Sequence, residues 1–371
     1  MTWRNLVAVL LVTVAAGAFG CYLTFPSSAP EAVLPAVSAD EQAQTIIALK
    51  PLRNRRPLVA ILGANDGSET TDYIIPYGVL KRSGLVDVVA LGVSDAPVTL
   101  MPVLTIIPDA SQVSFDSAHP EGADYVIVPA FHHRKNPPAL AWLNSQAGKG
   151  AMIVGICEGA LVLAEAGLLK GKHATTHWHA IEEMKSIEPG VTYVPDRRYI
   201  VDGRVATTTG VSASLPVSLA IVEAIGGRDA ANRVAADIGL PGWGVAHSSR
   251  SFNLTRRDVR TVLSNVLGFW RHDDIGIPVT SGTDEISLAL VADAYSRTFA
   301  ARVTALGISP VRSMNGLRFL ATGTSDGLLQ VGLHSGPAVD AFNQSLNEIT
   351  ARYGADTASF VRLTLEYPQL R

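Results

Sequence analysis

From residue 57 onward, short apolar runs alternate with segments whose apolar residues recur at helical spacing. Leu58–Leu62 (LVAIL), Val86–Leu91 (VDVVAL), Asp124–Pro129 (DYVIVP) and Ala151–Ile156 (AMIVGI) are short, apolar and bounded by Gly or Pro. That pattern predicts strands buried on both faces, and Leu104–Pro108 is a weaker run of the same kind. Between them, Thr71–Arg82, Pro137–Ala147 and Gly159–Leu169 carry helical spacing. The paired prolines that open the second suit a first turn, where N–H groups have no helical partner anyway. Pro76 kinks the first helix or sits in its first turn. Alternation of strand and helix predicts the α/β class, a mostly parallel sheet with helices on both faces and chemistry at the carboxyl ends of its strands.

The pattern returns in weaker form near the C-terminus. Asp284–Leu320 echoes Thr71–Ile107, with VTALG at 303–307 against VVALG at 88–92, and Ile349–Leu370 echoes Ile221–Trp243. This predicts a smaller, degenerate, non-catalytic α/β copy packed on the first. The chain then divides into a membrane segment (1–25), a linker (26–56), a main α/β domain (57–250), a connector (251–280) and a half-domain (281–371).

Leu6–Phe25 (LVAVLLVTVAAGAFGCYLTF) carries no charge, follows Arg4 and ends at Pro26. A run of about 20 residues matches the hydrocarbon core of a bilayer. No Lys or Arg follows until Lys50, so the positive-inside rule places the N-terminus in the cytoplasm. The expectation is an uncleaved, single-pass signal anchor in the inner (cytoplasmic) membrane, with the globular part outside the cytoplasm. Cleavage within the Ala-rich stretch and lipidation at Cys21 are the alternatives. Residues 26–50 read as a tether ending in a short helix. Arg53, Arg55 and Arg56 either touch anionic headgroups or form a solvated basic flank.

Composition narrows the function. Hydrophobic residues make up 47% and charged residues 17%, which excludes a disordered chain. Lys+Arg number 30 against Asp+Glu 33, and no helix-turn-helix pattern is present, so nucleic acid is not an expected partner. Two cysteines, Cys21 and Cys157, exclude a disulfide scaffold and a cysteine-rich zinc module. No metal or cofactor is expected. The neighbours His132 and His133 point apart on extended chain, and His173, His177 and His179 have no second ligand cluster. Gly63–Gly67 lacks dinucleotide-binding spacing.

The sharpest chemical signal is Gly155-Ile156-Cys157-Glu158-Gly159-Ala160, set between an apolar strand and an apolar helix. It is a thiol version of the Gly-x-nucleophile-x-Gly elbow. The glycines allow a tight turn, the helix start favours thiolate, and the Glu158 N–H forms half of an oxyanion hole.

On these residues a resemblance rests. GICEGALVLAEAGLLKGKHATTHW (Gly155–Trp178), Tyr199–Arg204, Ala206–Ala213 and Thr71–Leu80 are similar to the ThiJ/PfpI superfamily of class I glutamine amidotransferase-like domains. The nearest likeness is to the amidase-like sensor domain of AraC-type regulators and to isonitrile hydratases, over about residues 57–250. The resemblance implies a flavodoxin-like sheet, with Cys157 as nucleophile and Asp72 as the acid facing it. Glu69 is the runner-up for that acid. His177 of the Thr-His-Trp stretch lines the pocket or caps a strand. Phe131 stands where relatives place a second oxyanion donor, and Glu158 where they often carry Thr or His, so a His-based dyad is absent. The expected function is a cysteine-dependent hydrolase or hydratase acting on a small carbon–nitrogen substrate. The alternatives are a non-catalytic small-molecule or redox sensor, and a regulator-like protein lacking its DNA-binding domain. The expected partners are a small molecule, the membrane through the N-terminal segment, and a second copy in a homodimer.

Overall fold

The computed structural model describes residues 22–321, 323 and 327–367. Cys21 and most of the run read as an anchor lie outside them. Among the described residues no helix is long and apolar enough to cross a membrane.

Each predicted strand of the main domain forms. Strand β1 (Leu58–Gly63) is buried throughout and lies between β3 (Asp87–Gly92) and β7 (Tyr125–Val128), parallel to both. Strand β8 (Met152–Gly155) continues the parallel set beside β7. The sheet is completed by β12 (Val205–Thr208), parallel to β8, by the antiparallel edge strand β11 (Tyr199–Asp202), and by β6 (Ala110–Ser111) beyond β3. Helix α2 (Thr70–Ser83) joins β1 to β3, and a buried Asp72 opens it. Pro76 sits in its interior rather than its first turn, and removes the N–H that would reach the Asp72 carbonyl. The helix after Cys157, Gly159–Glu165, is shorter than its apolar pattern suggested, because Gly167 turns left-handed (φ 73°) just beyond it.

The linker is not a free tether. Its helix α1 (Ala39–Ala48) forms, Leu49 is fully buried, and the Tyr125 hydroxyl donates to the Leu49 carbonyl at 2.6 Å. Arg53 and Arg55 both pair with the buried Asp124 at 3.2 Å, and Arg56 pairs with Asp87 at 2.8 Å. These arginines pair across the starts of the strands, while Arg55 and Arg56 stay exposed, as in a solvated basic flank.

The C-terminal region is a second, smaller α/β unit that repeats the order of the first. Strand β13 (Asp273–Pro278), helix α10 (Glu285–Ser296) and strand β14 (Ala301–Leu306) form a parallel β-α-β unit like β1, α2 and β3. β13 lies inside the stretch read as connector, where Gly276 and Pro278 interrupt its apolar pattern. A hairpin follows in each half: β4 (Val98–Met101) with β5 (Leu104–Ile107), and β15 (Val311–Arg312) with β16 (Arg318–Phe319). A helix pair closes each half: α7 (Ser214–Gly226) with α8 (Arg228–Asp237), and α11 (Ala338–Tyr353) with α12 (Ala355–Thr364). Both pairs are joined by one glycine in nearly the same conformation, Gly227 at φ 82°, ψ 169° and Gly354 at φ 90°, ψ 158°. The segment carrying Cys157 has no counterpart in the smaller unit.

The halves meet through helices and a hairpin edge. β16 pairs antiparallel with β5, so one five-stranded sheet spans both units. Helix α10 packs on α2. A Cβ placed on Gly78 would lie 2.5 Å from Ile286 Cγ1, so only glycine permits this approach. Gly78→Val is therefore expected to destabilise the protein by about 1–3 kcal/mol through overpacking. Urea unfolding measures this, and an unchanged midpoint would mean that the helices do not approach so closely.

Candidate functional site

The elbow forms as its sequence requires. β8 ends at Gly155, the Ile156 N–H donates to the Val128 carbonyl at 2.9 Å, and Cys157 takes a left-handed backbone (φ 55°). Such a conformation costs a non-glycine residue about 1–3 kcal/mol and persists only where its surroundings enforce it. Here they do. The Cys157 N–H donates to Thr208 Oγ1 at 3.1 Å, and its carbonyl accepts from Thr176 Oγ1 at 3.0 Å. A Cβ on Gly159 would lie 2.0 Å from the Val128 carbonyl oxygen, so the helix can pass β7 only with glycine there. Cys157 is 6% exposed.

Carboxyl groups crowd the thiol. Burial pushes the Cys157 thiol well up, and the Asp72 carboxylate adds most to that effect, ahead of Glu158, Glu69 and Glu366. Asp72 is fully buried. Its Oδ2 accepts the Ala130 N–H at 3.2 Å, and its Oδ1 has no hydrogen-bond partner among the described residues. Glu69 is better satisfied. Its Oε2 caps α2 by accepting the Asp72 N–H at 2.6 Å and also accepts the Thr71 hydroxyl at 2.7 Å, while Oε1 pairs with Arg297 at 3.1 Å. Burial raises both carboxyls, Glu69 to about 7 and Asp72 far above its ordinary value. Glu69, beside the arginine, is therefore the first of the two to ionise, and Asp72 keeps its proton longer.

Arg297 and Glu366 are the site residues that sequence reasoning missed, and both come from the smaller unit. Arg297 follows α10 and also binds Asp293 at 2.7 Å. It is the cation of this cluster, and the thiolate charge of Cys157 acts on it. An acid and a base four residues apart in an otherwise apolar helix (SLALVADAYSR) is the signal that was available. Glu366 is buried at a left-handed turn (φ 49°), accepts the Trp178 N–H at 2.6 Å and pairs with His247 at 3.3 Å. Burial pushes its carboxyl up, but His247 and His177 outweigh this and hold it below its usual range.

Segment 363–367 lies across the elbow's flank. The Leu363, Thr364 and Leu365 carbonyls accept from Trp178 Nε1, His177 Nε2 and the Ser212 N–H at 3.2, 3.1 and 2.9 Å. His177 thus spends Nε2 on Thr364, while Nδ1 accepts the His179 N–H at 3.4 Å. Burial lowers its pKa. It is a clamp for the C-terminal segment, and neither nitrogen is left to act as a base toward Cys157. Phe131 also departs from its expected place. Its side chain belongs to the apolar cluster with Leu62 and Val128, and its backbone bridges Ser68. The neighbouring Ala130 N–H serves Asp72, so this loop is committed to the acid rather than to an oxyanion. Glu158 precedes the helix without capping it and acts on the thiol as a charge. Exposed His133 pairs with Asp66 at 2.7 Å.

The protonation order has a measurable consequence. A folded-state pKa of about 7 for Glu69, against 4.5 unperturbed, means the folded protein holds a proton that the unfolded chain has released. Stability from this group is fully present below pH 4.5 and is lost as pH rises towards about 7. Glu69→Gln abolishes that titration. Between these limits wild type is expected to lose stability relative to Glu69→Gln, read from urea midpoints across pH. Parallel curves would contradict the assignment.

Comparison with known proteins agrees with this geometry. The profile of the DJ-1/PfpI family matches residues 58–224. "Parkinson disease protein 7 homolog" of Danio rerio is 31% identical over 179 residues, which cover 46% of this chain and 92% of that protein. "Isonitrile hydratase" of Pseudomonas putida is 36% identical over 95 residues, 26% of this chain and 40% of that protein. "HTH-type transcriptional regulator CdhR" of Pseudomonas aeruginosa is 36% identical over 86 residues, 23% of this chain and 25% of that protein. With its parallel sheet, cysteine elbow and facing acid, the chain belongs to the DJ-1/PfpI family.

Proposed function

We propose that the protein is a cysteine-dependent hydrolase or hydratase acting on a small carbon–nitrogen substrate. The observation that carries this reading is the strained elbow of Cys157 beside the buried Asp72, whose Oδ1 has no hydrogen-bond partner among the described residues. In the proposed reaction the Cys157 sulfur adds to the electrophilic carbon. A C–S bond forms, the carbon–nitrogen π bond opens, and the thiol proton passes through Asp72 to nitrogen in a nitrile or to the terminal carbon in an isonitrile. Water then adds its oxygen to the same carbon; one of its protons goes to nitrogen and the other, through Asp72, to sulfur as the C–S bond breaks, so the thiol is restored and the hydrated product leaves. A protonated Asp72 serves both directions of this relay, whereas an ionised one would repel the thiolate. The relative named isonitrile hydratase supports the substrate class.

A second reading, a small-molecule or redox sensor, is favoured by the burial of the thiol and the C-terminal segment across its flank. The regulator among the relatives points the same way. In both readings the uncharged run at 6–25 would hold the protein at the inner membrane with its folded part outside the cytoplasm.

Asp72→Asn tests the site. If Asp72 is the proton partner, alkylation of Cys157 at neutral pH should slow about tenfold or more, one pKa unit corresponding to a factor of ten. Activity on small carbon–nitrogen compounds should fall with it. If Asp72 only repels the thiolate, alkylation should speed up. An unchanged pH–alkylation profile, with Cys157 confirmed by mass as the labelled residue, would show that the two groups do not interact.

A further inference from the structure

One surface is left unexplained by the site. Among the described residues, five of the fifteen large apolar side chains that are exposed fall between 263 and 270. They lie on helix α9 (Arg256–Leu267) and the turn Phe269–Arg271 that follows it. The helix starts with a capping box, Thr255 with Asp258, and its buried side is formed by Asp258 and Thr261, with Val262 packed near Phe252, Phe360 and Leu363. Its outer side is a single stripe: Arg256, Arg260, Leu263, Leu267 and Trp270, spaced by four, three, four and three residues. Exposure is 53% at Leu263, 65% at Leu267, 69% at Phe269 and 70% at Trp270. A face this apolar is not left open to water without a use.

Three observations say what covers it. The first is place: the Arg256 N–H donates to the Pro26 carbonyl at 2.9 Å and its guanidinium to the Leu23 carbonyl at 2.7 Å. The basic end of the stripe is thus tied to the end of the uncharged run 6–25, most of which lies outside the described residues. The second is charge. Arg256, Arg257, Arg260 and Arg271 gather here, and among the described residues only Asp356 forms an ion pair with Arg257 and Arg260. Asp258 is buried in the cap, while Asp273 and Asp274 are taken by Arg352 and Arg302. The third is residue type. Trp and Phe beside Arg suit the interface of a bilayer, where rings sit at headgroup level and arginine stems reach outward to phosphates.

We propose that the α9–Trp270 face lies on the surface of an anionic bilayer, beside the point where the N-terminal run enters it. This inference rests on the membrane reading of that run, and it adds a second, peripheral contact that orients the folded body. A helix lying in the interface with its apolar side inward gains from buried area and from attraction to anionic lipid together.

The test uses the full chain reconstituted into vesicles of phosphatidylcholine and phosphatidylglycerol that carry brominated acyl chains. Tryptophan emission should be quenched, most strongly with bromine near the headgroups, and Trp270→Phe should remove a large part of the quenchable signal, the remainder being that of Trp3 at the start of the N-terminal run. Leu267→Glu should reduce the quenching while leaving near-ultraviolet circular dichroism unchanged. Carbonate extraction reads the anchor separately. Quenching of Trp270 in protein that carbonate strips away would leave the interfacial face standing and sink the anchor. Carbonate-resistant protein with equal quenching in wild type and Trp270→Phe would overturn the inference, whether the patch is then covered by a second copy or by the chain's own N-terminal run. Protein that does not sediment with the vesicles at all would overturn it too.

Discussion

Carboxyl groups buried around one thiol cannot all be charged, and this constraint organises the site. Asp72, Glu69 and Asp293 are each almost fully enclosed, and Arg297 is the cation set among them. A buried carboxylate without a partner is costly, and two side by side cost more, so protons must remain on some of them. Glu69 has the arginine, an N–H and a hydroxyl, whereas Asp72 has one N–H. The difference in partners puts the proton beside the sulfur. Glu69 caps α2, ties the two halves together through Arg297, and adds to the charge around Cys157, so folding and chemistry depend on the same few atoms.

The second half is therefore more than a structural copy. Its β-α-β unit and hairpin repeat those of the main domain, but its value to the site lies in Arg297 and in segment 363–367. A chain ending before β13 would leave Glu69 without its cation and uncover His177 and Trp178. The close crossing of α2 and α10 at Gly78 holds that arrangement in register.

Much of this was legible in the sequence. The apolar runs at 58–62, 124–129 and 151–156 predict strands because a parallel sheet buried on both faces needs uninterrupted apolar residues. The elbow was legible because tight turns demand glycine at 155 and 159, whereas Asp72 was legible only through the family resemblance of Thr71–Leu80. Other parts were not. Arg297 and Glu366 lie over 100 residues from Cys157, and spacing along the chain carries no record of such contacts. His177 sits in the expected motif, yet its ring is claimed by a carbonyl from the far end of the chain. Arg53 and Arg55 look like surface charge until Asp124 is seen buried between them.

The proton on Asp72 is the claim on which the chemistry turns, and carboxyl-carbon NMR of protein labelled at Asp and Glu reads it directly. Glu69 should titrate near about 7, with Asp72 still protonated at that point and titrating above it. An Asp72 carboxyl that ionises in the ordinary carboxylate range, ahead of Glu69, would contradict the arrangement of charge described around Cys157.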